Sequence, residues 1–349
     1  MNITCIDNIP LNSTSTIDVH NQLRTIISYV YMIAYPIILI VGFIGNLLSS
    51  ILFSTTDLCQ TSCAIYFLLL SISDSIALLG GLHHCLVIGF HIIIASPIYC
   101  RVRHFLLYVF MDLASWMVVA ISVDRFYKVK YPLRARIYCT RKLTLIISFT
   151  ITGILILKNI HLSTPFIGNS SSKNSDDKCD ANPDYPKYVF FFSNIWPWID
   201  VTIFALLPFL IILLCSSYII YNQRKRRLKF GTRTLDRSLT KFLLISAICF
   251  VICNFPLSIS MVLYPYLSGE NNKTEAQYAT ASFLLDLFRL PSYASLALNF
   301  YFYYYSSSIF KQKAVILFKR IRRMSIKSSD EPIQTIQIQS RNSGISTKT

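Results

Sequence analysis

The chain has 349 residues, of which 53% are hydrophobic and 14% charged, with a formal net charge of +16 and a mean hydropathy of +0.49. A water-soluble domain carries about a quarter charged residues, so this composition excludes an ordinary soluble enzyme or binding domain. The basic residues lie at the edges of apolar runs, which favours anionic lipid and acidic partner surfaces over nucleic acid.

The apolar runs predict an all-α membrane protein. Seven occur in chain order, at 26–53, 64–94, 99–129, 143–165, 189–221, 239–265 and 278–306, each longer than the ~20 residues a spanning helix needs. Residues 1–18 are polar, include acids and lack a basic segment or small-residue cleavage site, so the first run is expected to act as an uncleaved anchor. Seven basic residues lie at the end of the third run and in the loop after it (Arg125 to Lys142), eight follow the fifth (Arg224 to Lys241), and nine lie from Lys311 onward. These 24 of the 33 Lys and Arg mark one side as cytoplasmic. The loop after the first run has no Lys or Arg, so the later loops set the orientation. The glycosylation sequons at Asn2, Asn12, Asn169 and Asn272 all fall on the opposite side. An outer N-terminus and an inner C-terminus require an odd number of spans, which seven satisfies. The expected organisation is an extracellular tail (1–25), a seven-helix bundle (26–306), an interfacial helix (307–322) and a cytoplasmic tail (323–349) in the plasma membrane.

Motifs recur along these runs. The first contains Gly45-Asn46, and the second Leu70-Ser71-Ile72-Ser73-Asp74. The third carries Cys100 and, twenty-five residues later, Asp124-Arg125-Phe126, followed by Pro132-Leu133. That interval is ~37 Å of helix, so the cysteine and the acid–arginine pair sit at opposite membrane faces. The fifth run has Leu207-Pro208; the sixth reads Phe250-Val-Ile-Cys253-Asn254-Phe255-Pro256; the seventh reads Asn299-Phe300-Tyr301-Phe302-Tyr303, with Phe310 beyond. Over residues 29–318 this set resembles the rhodopsin-like G-protein-coupled receptors.

The resemblance implies several roles. A Cys100–Cys179 disulfide would pin the second outer loop over the third helix, while Cys5 is either free or paired with Cys85. Asn46, Asp74 and Ser295 would form a polar core, and Pro208, Phe250, Cys253, Asn254 and Pro256 a hinge region. Asp124, Arg125, Phe126, Pro132, Leu133, Asn299 and Tyr303 would couple the bundle to a heterotrimeric G protein. Asp236, twenty residues before Pro256, would oppose Arg125 in the inactive state. Arrestin and a receptor kinase would act on the tail, where Arg322-Arg323-Met324-Ser325 is similar to a basophilic-kinase site. No cofactor or metal is expected: the serine that would assist sodium binding beside Asp74 is Ala114. The fourth run lacks the family's tryptophan, and Ser216 replaces a tyrosine of the fifth, with Tyr218 close by. Asn254 for Trp and Phe300 for Pro are similar to invertebrate peptide receptors of the FMRFamide and myosuppressin type.

Other classes lack their chemistry. No HExxH, paired membrane aspartates of the GxGD type, P-loop or inverted repeat supports an enzyme or transporter. An opsin needs a lysine in the seventh run, which has Arg289 instead; amine receptors have an aspartate where this chain has Leu107. The outer halves of the runs hold His83, His84, Arg103, His104, Asp112, Lys158, His161, Asp200, Asp286 and Arg289. Charges at this depth are costly unless paired. Lys158 and Arg289 can pair two of the three acids Asp112, Asp200 and Asp286, leaving one carboxylate spare. A pocket of Arg103, His104, Leu107, Asp112, Asp200, Asp286 and Arg289 is therefore expected to take a charged peptide. A ligand arginine would bridge Asp112 and Asp200, with Lys158 as the competing partner. The alternative is a chemosensory receptor for a non-peptide small molecule.

Overall fold

The computed structural model describes residues 12–92, 96–168, 179, 181–230, 234–268, 275–307, 310–317 and 319; side chains are described from residue 21, apart from 223–224, 226–244, 265, 268 and 275–279. The described chain is a helical bundle. In order it comprises α1 (Asn12–Thr55), α2 (Ala64–His84), α3 (Pro97–Lys130), the short α4 (Pro132–Tyr138), α5 (Arg141–Asn159), α6 (Pro186–Phe190), α7 (Trp196–Val201), α8 (Leu207–Phe230), α9 (Thr234–Ser268) and α10 (Glu275–Ser306). The seven crossings are α1, α2, α3, α5, the α6–α8 relay, α9 and α10.

Local sequence explains the helix starts. Ser96 accepts the Tyr99 N–H at 3.4 Å, and Pro97 occupies a first-turn position that needs no donor. Thr140 caps α5 in the same way, through the Leu143 N–H at 3.3 Å. Helix α1 starts at Asn12 rather than at residue 26, so part of the expected tail is continuous with the first span. Residues 12–25 contain no Pro or Gly to stop the helix. Helix α2 passes through a π turn (Cys85–Gly89), after which the chain turns at His91, whose φ is 54°.

Among the described residues, six helices are long and apolar enough to cross a membrane by length and composition. The seventh crossing, α10, is less apolar because Asp286, Arg289 and several Ser and Tyr residues interrupt it. It closes the ring between α1 and α9, while α3 runs through the middle, touching α2, α5 and α8. Phe149 (73% exposed), Leu214 (70%) and Ile252 (66%) form part of an outward apolar surface, which in a membrane faces lipid at no cost. Inside, Phe53 stacks on Phe67 at 4.6 Å, and Tyr303 and Phe310 join them, so the short helical segment 310–317 is held by aromatic packing.

The fifth crossing shows how a proline is accommodated without water. Pro208 has no N–H, so it cannot bond the carbonyl of Phe204, one turn earlier. A π turn (Thr202–Leu206) sends the Leu207 N–H to Thr202, which also releases the Ile203 carbonyl. Helix α3 takes both: Ser115 donates to Phe204 O at 2.9 Å, and Trp116 Nε1 to Ile203 O at 3.1 Å. Close backbone approach matters elsewhere. A Cβ at Gly81 would lie 2.5 Å from the Tyr35 hydroxyl and 2.6 Å from the Tyr293 ring, and Tyr35 also donates to the Leu78 carbonyl. Small residues at such contacts let membrane helices pack. Gly81→Val should therefore lower the thermal midpoint of the detergent-purified protein, through overpacking of about 1–3 kcal/mol. Gly153, with nothing near its missing side chain, is the matched position where Ala should be tolerated.

Candidate functional site

A cavity of about 90 Å³ opens towards the Cys100 end, between α3, the fifth crossing, α9 and α10. Its walls include Arg103, His104, Leu107, Asp112, Asp200 and Arg289, six of the seven residues grouped from the sequence. Asp286 is not on the wall; Arg289 Nη1 donates to it at 2.5 Å. Residues without a sequence signal complete the lining: Tyr108, Met111, Phe204, Leu257, Ser258, Met261, Ser292 and Tyr293. His84 also lines it, 2.9 Å from the Tyr293 hydroxyl.

An ionic triad lies deep in this region. Lys158 Nζ is 2.9 Å from Asp112 Oδ2 and 2.7 Å from Asp200 Oδ1, tying the third, fourth and fifth crossings together. Asn159, the next residue, donates to Asp112 Oδ2 at 2.8 Å; nothing in the sequence singles it out. Lys158 also lies 5.0 Å from the Trp196 ring centre, an attractive position for a cation over an aromatic face. Two carboxylates against one ammonium leave a formal charge of −1.

The Cys100–Cys179 disulfide is present, with Cα atoms 5.2 Å apart. Beside it, Ile167 and Ala181 form an antiparallel bridge, and Arg101 Nε donates to the Ile167 carbonyl at 2.9 Å. The loop is thus fastened to the start of α3 by covalent and polar contacts. Cys85 is a buried thiol directed at the Tyr31 carbonyl; Cys5 lies outside the described residues.

At mid-bundle, Asn254 links α9 to α10. Its Nδ2 donates to Ser295 Oγ at 3.3 Å and to Phe250 O at 2.9 Å, while Ser292 donates to its Oδ1 at 2.6 Å. One turn deeper, Asn299 donates to Asp74 Oδ2 at 2.7 Å, and Asn46 donates to Leu296 O at 3.3 Å. Ser295, one turn before Asn299, therefore hydrogen-bonds Asn254, while Asn299 is the α10 residue that bonds Asp74. Ala114 lines the cavity around Asp74 without an oxygen to offer, so the residues present do not fit a sodium site of the expected composition. Pro208 and Pro256 flank this region on their respective helices.

At the opposite end, Asp124 pairs with Lys128 at 2.6 Å and accepts from Ser62 at 3.3 Å. Arg125 donates to the Cys63 sulfur and lines a cavity of about 360 Å³ with Phe67, Tyr303 and Phe310. Phe126 packs edge-on against Tyr218 at 4.9 Å. Pro132 opens α4, leaving Leu133 78% and Ile137 71% exposed. Lys313, in the short helical segment after α10, holds the exposed Asp57 carboxyl below its usual range through a hydrogen bond and charge attraction. The Asp236 side chain lies outside the described ones, as do the sequon residues Asn2, Asn169 and Asn272, the side chain of Asn12, and the tail from 320.

Residues 45–303 match the family described as 7 transmembrane receptor (rhodopsin family). That span covers most of the chain, which therefore belongs to the rhodopsin-like, class A G-protein-coupled receptors, a family of receptors and not of enzymes. The chain is also similar to Neuromedin-U receptor 2 of Rattus norvegicus, at 25% identity over 276 residues, covering 74% of this chain and 68% of the rat protein.

The disulfide gives a direct test. Closing a loop of 79 residues contributes about 4 kcal/mol in the chain-entropy description. Cys100→Ala and Cys179→Ala should each sharply reduce surface expression in cells, and the double variant should be no worse than either single one. Additive losses would mean that the two cysteines act separately.

Proposed function

We propose that this receptor binds a neuropeptide at the Cys100 end, on the extracellular side of the plasma membrane, and activates a heterotrimeric G protein at the Arg125 end. One observation carries the peptide reading: a deep cavity lined by charged residues, with a formal −1 on the Asp112–Lys158–Asp200 triad. A basic side chain on a peptide suits that charge, and Tyr108, Phe204 and Tyr293 supply aromatic surface around it. One finding supports this reading: the rat relative is by name a receptor for neuromedin U. The sequence resemblance of Asn254 and Phe300 to invertebrate FMRFamide-type receptors points the same way. A small-molecule ligand is the second reading, favoured by a small cavity whose wall has an apolar part made by Leu107, Met111, Phe204, Leu257 and Met261.

The basic loops are read as cytoplasmic. There Arg125, with Asp124 and Phe126, is the coupling element, and the exposed apolar residues of α4, including Leu133, offer a docking surface. Activation is a population shift in which agonist favours the state with α9 displaced from Arg125, and Asp236 opposes Arg125 before that shift. Asn299 and Tyr303 carry the change along α10. The tail serines are assigned to a receptor kinase and arrestin.

A panel of amidated neuropeptides that includes neuromedin U, applied to cells expressing the chain and read by calcium and cAMP, tests the ligand class. For an arginine-containing agonist from that panel, Asp200→Asn should weaken potency at least tenfold, about 1.4 kcal/mol. Replacing the peptide's arginine by a neutral residue should then cost little more in that variant. A panel with no responder, against a response to small organic molecules, would favour the second reading. Independently, Arg125→Ala should abolish the calcium and cAMP responses while leaving binding of the labelled agonist measurable.

A further inference from the structure

Lys158 is not part of the cavity wall, whereas Asp112 and Asp200 are. The lysine reaches the two carboxylates from the fourth crossing, on the side away from the cavity. It contacts Asp112 Oδ2 and Asp200 Oδ1, and Asn159 adds a second donor to Asp112 Oδ2. The side chain of Lys158 is 8% exposed and that of Asp112 only 1%, so solvent screens this cluster weakly and its integer charge matters. A group entering from the cavity meets the same two carboxylates, because both are on its wall. One positive charge there makes the cluster neutral; a second leaves an uncompensated charge in a desolvated site.

We infer that Lys158 sets the valence of the ligand group admitted here: with it in place, the Asp112–Asp200 seat takes a single positive charge, such as one guanidinium or one ammonium, and disfavours a dibasic group. This deepens the peptide reading above and rests on its cation seat. It makes Lys158 a specificity-determining residue that need not touch the ligand. The corresponding ligand carries an isolated basic side chain at this depth, with apolar or neutral neighbours, rather than two adjacent basic residues.

The test uses two small probes on the detergent-purified full chain: n-butylguanidinium, with one charge, and agmatine, with a guanidinium and an ammonium. Their apparent affinities are read from concentration-dependent thermal shifts, with n-butylurea as the neutral control. Four proteins form a charge series: the unaltered chain (−1), Lys158→Gln (−2), Asp200→Asn (0) and the Lys158→Gln/Asp200→Asn double variant (−1). The unaltered chain and the double variant should both prefer n-butylguanidinium. Lys158→Gln should bind agmatine about tenfold more tightly than the unaltered chain does, and should prefer it to the monocation. Asp200→Asn should lose both probes.

A purely structural lysine gives the opposite pattern. Lys158→Gln would then weaken both probes, and the double variant would bind less than Asp200→Asn; either result overturns the valence proposal. If Lys158→Gln does not fold, the comparison of Asp200→Asn with the double variant still decides. Removal of the lysine in that background should restore n-butylguanidinium binding about tenfold, and unchanged or weaker binding overturns the proposal. Loss of probe binding on Asp200→Asn without any effect of Lys158 would leave the cation seat standing and sink only the valence role. If none of the four proteins distinguishes either cation from n-butylurea, the seat and the valence role fail together.

Discussion

Hydrocarbon offers no hydrogen bonds, so backbone polar groups of the spanning helices must be satisfied by the protein itself, and polar side chains inside the bundle are costly unless paired. This constraint organises the interior more than any single apolar contact does. It explains why the carbonyls released at Pro208 are met by Ser115 and Trp116, and why Asn254 has two serine partners on α10. It also explains why Lys158 is set between two carboxylates and beneath an aromatic ring. Apolar packing is nearly indifferent between helix and lipid. The polar contacts therefore select which helix faces meet and in what register.

The helices and the two ends of the third span were legible because their signals are strong and local. Apolar runs fix the crossings, and the interval from Cys100 to Arg125 matches the membrane thickness. The position of Cys179 in an outer loop made its pairing with Cys100 a natural expectation once the resemblance was drawn. The charged residues of the cavity could also be grouped, because an ionisable side chain in an apolar run is conspicuous. Their partners were less legible. Three acids and two bases allow several pairings, and only the turn of each helix decides that Lys158 serves both Asp112 and Asp200 while Arg289 serves Asp286.

What the sequence concealed is mostly neutral or unmarked. Tyr108, Met111 and Tyr293 line the cavity, but aromatic and sulfur-containing residues in apolar runs look alike whether they face lipid, core or ligand. The substitution at Asn254 was visible, yet nothing indicated that Ser292 and Ser295, three residues apart on another helix, would meet its two ends. Ser295 was accordingly expected with Asp74. The early start of α1 was missed for a different reason: polar residues 12–25 carry no membrane signal, although nothing in them forbids a helix.

The side-chain capture of carbonyls at the proline has a mechanical consequence. A proline and a π turn in an isolated helix make a soft joint. Here the softened segment is riveted to its neighbour at two consecutive carbonyls, one by a hydroxyl and one by an indole. Turning the fifth crossing by one residue, about 100°, would unseat both bonds at once. Helices three and five are therefore geared: a screw motion of either must be transmitted to the other or strip two hydrogen bonds in a medium that cannot replace them. A disturbance at Asp200, one turn before this joint, acts on a coupled pair of helices rather than on a flexible strap.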